Sequence, residues 1–162
     1  MGKLIGIAGP KGVGKTTYAS GLAGVNGIVL SFSTPIKELA CHIPGVPPEY
    51  IYKDKEIHIP GWPNHVTGRF LLQSIGTEFG RKLIYGDIWV DMLRNKITTL
   101  LDSHKKIVID DLRFDNEAMM VHHMGGEVWR LSREGVMSWD THSSEEGLGD
   151  RHVDKDIELP NT

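Results

Sequence analysis

The chain has a single cysteine, Cys41, so no internal disulfide can form and a reducing compartment suits it. No apolar run approaches the roughly 18 residues of a membrane-spanning helix. The N-terminus carries no charged segment followed by an apolar signal stretch, so the expectation is a cytoplasmic protein with no membrane partner. Basic charge is not in excess either: 18 Lys and Arg face 21 Asp and Glu, a net charge of −3. Affinity for a nucleic-acid duplex rests on cations neutralising phosphates, so no nucleic-acid partner is expected. A local basic pocket for a small anion remains open. The eight histidines show no cysteine pairing and no metal-ligand spacing. His122-His123 reads as a solvated helix end, and Cys41 as a small buried hydrophobe. Repeats, low-complexity tracts and an N-K-x-D guanine motif are all missing.

What is present is 162 residues, 40% hydrophobic, enough for one core without a disulfide or structural metal. Strand and helix signals alternate, which predicts an α/β three-layer fold. Its mainly parallel five-stranded sheet would carry helices on both faces. Strands are expected at Leu4–Ala8, Ile28–Phe32, Lys106–Ile109, Glu127–Ser132 and Asp156–Leu159. Helices are expected over 16–22, from Pro35 to about Cys41, over 67–83, from Asp87 to Leu101, and from an Asp115 cap to about Met124. Phe70, Leu71, Ile75 and Phe79 supply the apolar stripe of the third. Residues 43–66 hold five of the eight prolines and read as an irregular flap. Residues 133–152, polar with a glycine-rich centre, read as a lid-like loop. Neither breaks the chain into domains, so 1–162 is read as a single domain.

Gly9-Pro10-Lys11-Gly12-Val13-Gly14-Lys15-Thr16 matches G-x-x-x-x-G-K-[ST], between an apolar strand and a helix start. Glycines let backbone N–H groups curl around phosphate oxygens. The helix N-terminus adds partial positive charge. Gly9, Lys11, Gly12, Val13, Gly14, Lys15, Thr16 and Thr17 are therefore the candidate ATP-binding set. Lys15 reaches the β- and γ-phosphates, and the Thr16 hydroxyl is the candidate ligand of Mg²⁺. The motif fixes the phosphate donor and leaves the acceptor open.

Three segments bear on the acceptor. In R-F-L-L-Q-S-I-G-T-E-F-G-R, Arg69, Gln73 and Thr77 fall at i, i+4 and i+8. That stripe could hold a phosphate and a base edge; a solvated helix face fits the spacing equally well. Asp110-Asp111-Leu112-Arg113 follows a strand, where open α/β sheets bind ligands. A loop turn and helix cap is the plainer reading of two such aspartates, but the upstream phosphate loop favours a site. Arg113 could bridge the acceptor and the transferring phosphate. Arg130 alternates with Trp129 and Leu131, a solvent-facing pattern. Arg133 is the better lid candidate, closing over ATP and excluding water. Trp89 could stack on a base, although a lone tryptophan more often fills a core.

With these residues the sequence resembles the deoxynucleoside monophosphate kinases of bacteriophages. Four segments in order carry the resemblance. They are G-P-K-G-V-G-K-T-T at 9–17, R-x-x-x-Q-x-x-G-T-E-x-G-R at 69–81 with Trp89, D-x-R-F-x-N-E at 111–117, and R-x-x-R with H-x-S-E at 130–145. The resemblance implies transfer of the ATP γ-phosphoryl group to a deoxynucleoside monophosphate, giving the diphosphate and ADP. It places Arg69, Gln73, Gly76, Thr77 and Trp89 in the acceptor site. Asp111, Arg113 and Glu117 fall in a second acidic-basic motif, whose D-x-R pattern Asp111 fits better than Asp110. It also implies a monomer or homodimer. Phe70 stands where the family often has a polar or basic residue.

The expected mechanism is in-line transfer with little covalent work by the protein. Lys15, Asp111 and Arg113 form the candidate catalytic set. Arg113 and Arg69 would hold the acceptor phosphate, with Gln73, Gly76, Thr77, Trp89 and Glu117 completing the acceptor site. Two alternatives stay open: a P-loop kinase for another small acceptor, and a non-catalytic nucleotide-binding module.

Overall fold

The computed structural model describes residues 2–103, 106–136 and 148–161. In chain order the elements begin with β1 (Lys3–Ala8), α1 (Lys15–Ala23), β2 (Gly27–Leu30), α2 (Thr34–Cys41) and α3 (Glu49–Tyr52). Next come α4 (Gly68–Gln73), running into a π-helix (Ser74–Ile84), and α5 (Ile88–Leu100). The last part holds β3 (Lys106–Ile109), α6 (Asp115–His123), β4 (Glu127–Arg133), a 3₁₀ turn (Asp150–His152) and β5 (Lys155–Leu159). They form two compact units, Met1–Ser31 with Met92–Thr162, and Phe32–Asp91.

The first unit is built on a five-stranded sheet of order β2-β3-β1-β4-β5. The expected sheet was mainly parallel; every pairing in it is parallel. A parallel sheet is covered on both faces, which is why β1 and β3 are apolar without alternation. Strand alternation assigns the faces. Ile5, Ile7, Val108, Trp129 and Leu131 pack with Ala19 and Ala23 of α1. The intervening Gly6 faces the other way, where an added Cβ would meet Leu112 and Val121 of α6. Helices α1 and α6 therefore lie on opposite faces of the sheet. All five strands end along one edge, the side on which open α/β sheets bind ligands.

The second unit has its own core of Ala40, Val46, Ile51, Ile59 and Val66, joined by Tyr50, Trp62, Leu71, Leu72 and Ile75. Four of the five central residues come from the proline-rich stretch 43–66. Proline lacks an N–H and cannot continue a ladder or a helix interior. The segment accordingly folds through turns, the short α3, and one bridge between His58 and Thr67. Thr67 then caps α4, its hydroxyl accepting the Phe70 N–H at 3.1 Å.

The apolar stripe expected over 67–83 is only half buried. Leu71 and Ile75 pack inward, whereas Phe70 and Phe79 are about half exposed. The buried face runs instead through Gly76 and Gly80. A Cβ on Gly80 would lie 2.5 Å from the Trp89 ring, and one on Gly76 would lie 3.1 Å from Ile36. Counting apolar side chains skips glycines, so the pattern pointed to the wrong face. The helix also changes character at Ser74, where i→i+5 bonds replace i→i+4, a form frequent at functional sites.

Gly68 offers a direct stability test. Its Cβ position lies 1.7 Å from the Tyr50 carbonyl oxygen, an immovable backbone atom. Gly68→Ala should cost at least about 1–3 kcal/mol, the range for overpacking. Urea unfolding checks this; an unchanged midpoint would mean that α3 and α4 are not packed this closely.

Candidate active site

The phosphate loop follows β1. Its three glycines all have positive φ. Gly9 has φ 145°, and a Cβ there would lie 2.6 Å from the Leu131 carbonyl oxygen. Gly14, just before α1, has φ 104°, a left-handed value that L side chains rarely adopt. Val13 is fully buried and pins the loop to the core, while Lys11, Gly12, Thr16 and Thr17 are exposed. Lys15 bends back over the loop, and its Nζ donates to the carbonyls of Gly9 at 2.8 Å and Pro10 at 2.9 Å. Its ammonium, with three donors, thus rests on carbonyls of the loop itself.

The carboxylate that meets this loop is Asp110. The Thr16 hydroxyl donates to its Oδ2 at 3.0 Å, and the Ser31 hydroxyl donates to its Oδ1. Asp110 is only 8% exposed. Asp111, favoured on motif pattern, is half-buried one residue further on. The geometric reason is alternation. Val108 packs on the α1 face, so Asp110, two residues later, faces the N-terminus of α1. A residue pattern in D-x-R could not show which aspartate follows the α1 face.

Arg133, the last residue of β4, obeys the same rule. Trp129 and Leu131 lie on the α1 face, and Arg133 continues that row. A Cβ on Gly14 would sit 3.4 Å from its Nη2, so the guanidinium lies against the phosphate loop. Its Nε is buried and has no hydrogen-bond partner among the described residues. This arginine thus has donor capacity to spare beside the loop. Arg130 is on the opposite face, and it does not merely face solvent. It donates to Asp156 at 2.7 Å and also pairs with Asp150, which raises its pKa further above the ordinary arginine value. It fastens the chain that returns from the lid-like loop. Of that loop, residues 137–147, including the motif residues His142, Ser144 and Glu145, lie outside the described residues.

Between Asp111 and Glu117 the chain turns into α6. Glu117 is 1% exposed, and its carboxylate accepts the backbone N–H of Arg113 at 2.7 Å and of Phe114 at 3.1 Å. Phe114 is the N-cap of α6, in place of the expected Asp115, and the Glu117 side chain reaches back from the third helical position to accept its N–H. The Arg113 side chain itself is exposed. Asp115 instead accepts the Gly149 N–H at 2.7 Å and faces Arg151 and His152. The Gly149 N–H, with His152 and Arg151, holds its carboxyl below the usual carboxylate range. Asp154 is held low as well: burial opposes its charge, but the Val128 N–H and His122 outweigh that.

In the second unit, Arg69 is half-buried and paired with Glu56; its N–H donates to the Lys55 carbonyl at 2.8 Å. Gln73 and Thr77 are exposed, on either side of the step from α4 into the π-helix. Gly76 is buried, and its carbonyl accepts the Trp89 Nε1–H at 2.8 Å. Trp89 is 2% exposed, so it fixes this helix from beneath. Nothing here resembles a cluster of metal-ligating His, Cys, Asp and Glu among the described residues. No helix among them is long and apolar enough to cross a membrane.

Residues 51–161 match the family model described as deoxynucleotide monophosphate kinase. The chain belongs to the deoxynucleotide monophosphate kinase family. It is also 35% identical over 157 residues to a protein of Acanthamoeba polyphaga mimivirus named "Putative deoxynucleotide monophosphate kinase", covering 88% of this chain and 80% of the relative. The phosphate loop lies before the residues that the family model matches, so loop geometry and family match support each other independently. This member of the deoxynucleotide monophosphate kinase family is accordingly a phosphotransferase that phosphorylates deoxynucleoside monophosphates, with ATP as the donor.

The anchors around the returning chain have a pH consequence. Carboxyls held below their unfolded value of about 3.9 stabilise the fold above that pH and lose the contribution as pH falls through the folded value. Asp115→Ala should therefore flatten the acid side of the stability profile, read as urea midpoints between about pH 6 and pH 2. An acid limb as steep as in the unmodified protein would show that Asp115 is not a significant anchor.

Proposed function

We propose that the Lys15, Thr16 and Asp110 constellation is the phosphate-donor site of this kinase and that Arg113 and Arg69 hold the acceptor phosphate. The observation that carries the donor reading is the hydrogen bond from Thr16 to the buried Asp110. It ties the helix start after the phosphate loop to the end of the neighbouring strand. Lys15 supplies a point charge to the β- and γ-phosphates, and the loop N–H groups and the α1 N-terminus surround the same oxygens. Arg133 adds its unused donors from the side of Gly14.

The residues fit a magnesium ion carried in with ATP. The Thr16 hydroxyl and the Asp110 carboxylate are hard oxygen donors, and magnesium in phosphate sites uses few protein ligands beyond water and substrate. Thr16 would hold it directly and Asp110 through Thr16 or water. When bound, it neutralises phosphate charge. Arg113 leaves the α6 N-terminus with its backbone fixed by Glu117, so Glu117 serves the acceptor through Arg113. Asp111, two residues before Arg113, completes the acidic-basic motif on the acceptor side. In the second unit Gln73 and Thr77 present donors and acceptors to a base, and Gly76 and Trp89 set their placement. The chain acts as a monomer or homodimer, in the cytoplasm. Phosphoryl transfer then needs positioning and charge more than covalent chemistry.

A coupled ADP-release assay with ATP, Mg²⁺ and each deoxynucleoside monophosphate in turn tests this. Release should depend on one or more of these acceptors. Arg113→Ala should lower turnover by about 10²–10³-fold, as for other transition-state donors, while ATP affinity stays within error. Equal loss of turnover and ATP affinity would remove Arg113 from the acceptor role. ATP binding with no acceptor-dependent release would mean a nucleotide-binding module.

A further inference from the structure

Ser31 belongs to none of the motifs, yet the geometry points to it as a positioning residue for the donor site. It directly follows β2, as Asp110 follows β3. These strands pair in parallel with Leu30 beside Ile109, and the Asp110 N–H donates to the Leu30 carbonyl at 3.1 Å. The next step in that register sets Ser31 beside Asp110. Both sit two residues beyond positions packed on the α1 face, Val29 and Val108. The shared face brings the Ser31 hydroxyl to Asp110 Oδ1, while Oδ2 takes the proton of Thr16.

The carboxylate is nearly buried, and it makes no ion pair among the described residues. A charge so placed needs hydrogen-bond donors, and two hydroxyls are what it has. They also fix its rotation. A hydroxyl has one proton and two lone pairs. With the Thr16 proton committed to Oδ2, its lone pairs are turned away from Asp110, free for a cation that arrives with ATP. Without Ser31, the carboxylate loses one donor and the restraint on its rotation, and Thr16 loses its orientation. We propose that Ser31 holds Asp110 so that the Thr16 hydroxyl presents its lone pairs to the ATP-bound magnesium ion. This rests on the magnesium reading above.

The test is ATP binding by calorimetry, without acceptor, in excess Mg²⁺ and again in EDTA. The chains compared are the unmodified protein, Ser31→Ala and Ser31→Thr. Outer-shell partners of metal ligands are typically worth about 10–100-fold in affinity. Ser31→Ala should weaken ATP binding by about tenfold in Mg²⁺, the lower end of that range, and leave binding in EDTA unchanged. Ser31→Thr, which keeps the hydroxyl, should stay close to the unmodified protein. Ser31→Cys, similar in size but a weak donor, should behave as the alanine variant does and serves if that variant does not fold. Equal weakening in Mg²⁺ and EDTA would mean general damage to the loop and would overturn the proposal. So would full Mg²⁺-dependent affinity in Ser31→Ala. If the unmodified protein binds ATP no better with Mg²⁺ than without, the magnesium reading itself fails, whatever the variants do.

Discussion

The site depends on a nearly buried carboxylate that makes no ion pair among the described residues. Asp110 stands at the end of the strand next to β1, where the sheet delivers it to the first turn of α1. Two hydroxyls satisfy it, one from the phosphate loop's helix and one from the end of β2. Three consecutive sheet positions, β2, β3 and β1, thus converge on one anion. Parallel pairing makes this possible, because all the strands end on the same edge and their last side chains share faces. Shifting the register of β3 by one residue would put Asp111 there and turn Val108 away from α1.

The same edge collects positive charge from two sources. Lys15 comes from the loop and is already seated on its carbonyls. Arg133 comes from the end of β4, held against Gly14 with a buried Nε that the described residues leave unpaired. Such an orphaned donor is costly in a folded protein, and under the proposed function a phosphate oxygen would be its partner. Around it, Arg130, Asp150, Asp156, Asp115 and Asp154 fasten the chain that follows the lid-like loop. The second unit relies on close approach. Gly76 and Gly80 let Ile36 and Trp89 reach the helix backbone, and the Trp89 Nε1–H fixes the Gly76 carbonyl. Gln73 and Thr77 are left exposed on that helix.

Much of this was legible in the residues. The five strands fall within two residues of their expected bounds, because buried parallel strands write themselves as short apolar runs. The phosphate loop was explicit, since its glycines are demanded by backbone geometry rather than by packing. Three features were not legible, each for a physical reason. Which aspartate lies on the α1 face depends on the face of β3, and β3 is apolar on both faces. The π-helix at Ser74 and the buried glycine face follow from Trp89, a contact thirteen residues away in sequence from Gly76. The core role of 43–66 was hidden because prolines break helix and strand periodicity without preventing Val46, Ile51, Ile59 and Val66 from being buried.

The central claim is that Asp110, through Thr16, organises the donor site. The most direct measurement is acceptor-dependent ADP release by Asp110→Asn beside Asp111→Asn, each checked for an unchanged melting temperature. Asp110→Asn should lose about 10–100-fold in turnover and most of its dependence on Mg²⁺ concentration, while Asp111→Asn keeps that dependence. Near-normal turnover in Asp110→Asn, with Mg²⁺ dependence lost in Asp111→Asn instead, would contradict it.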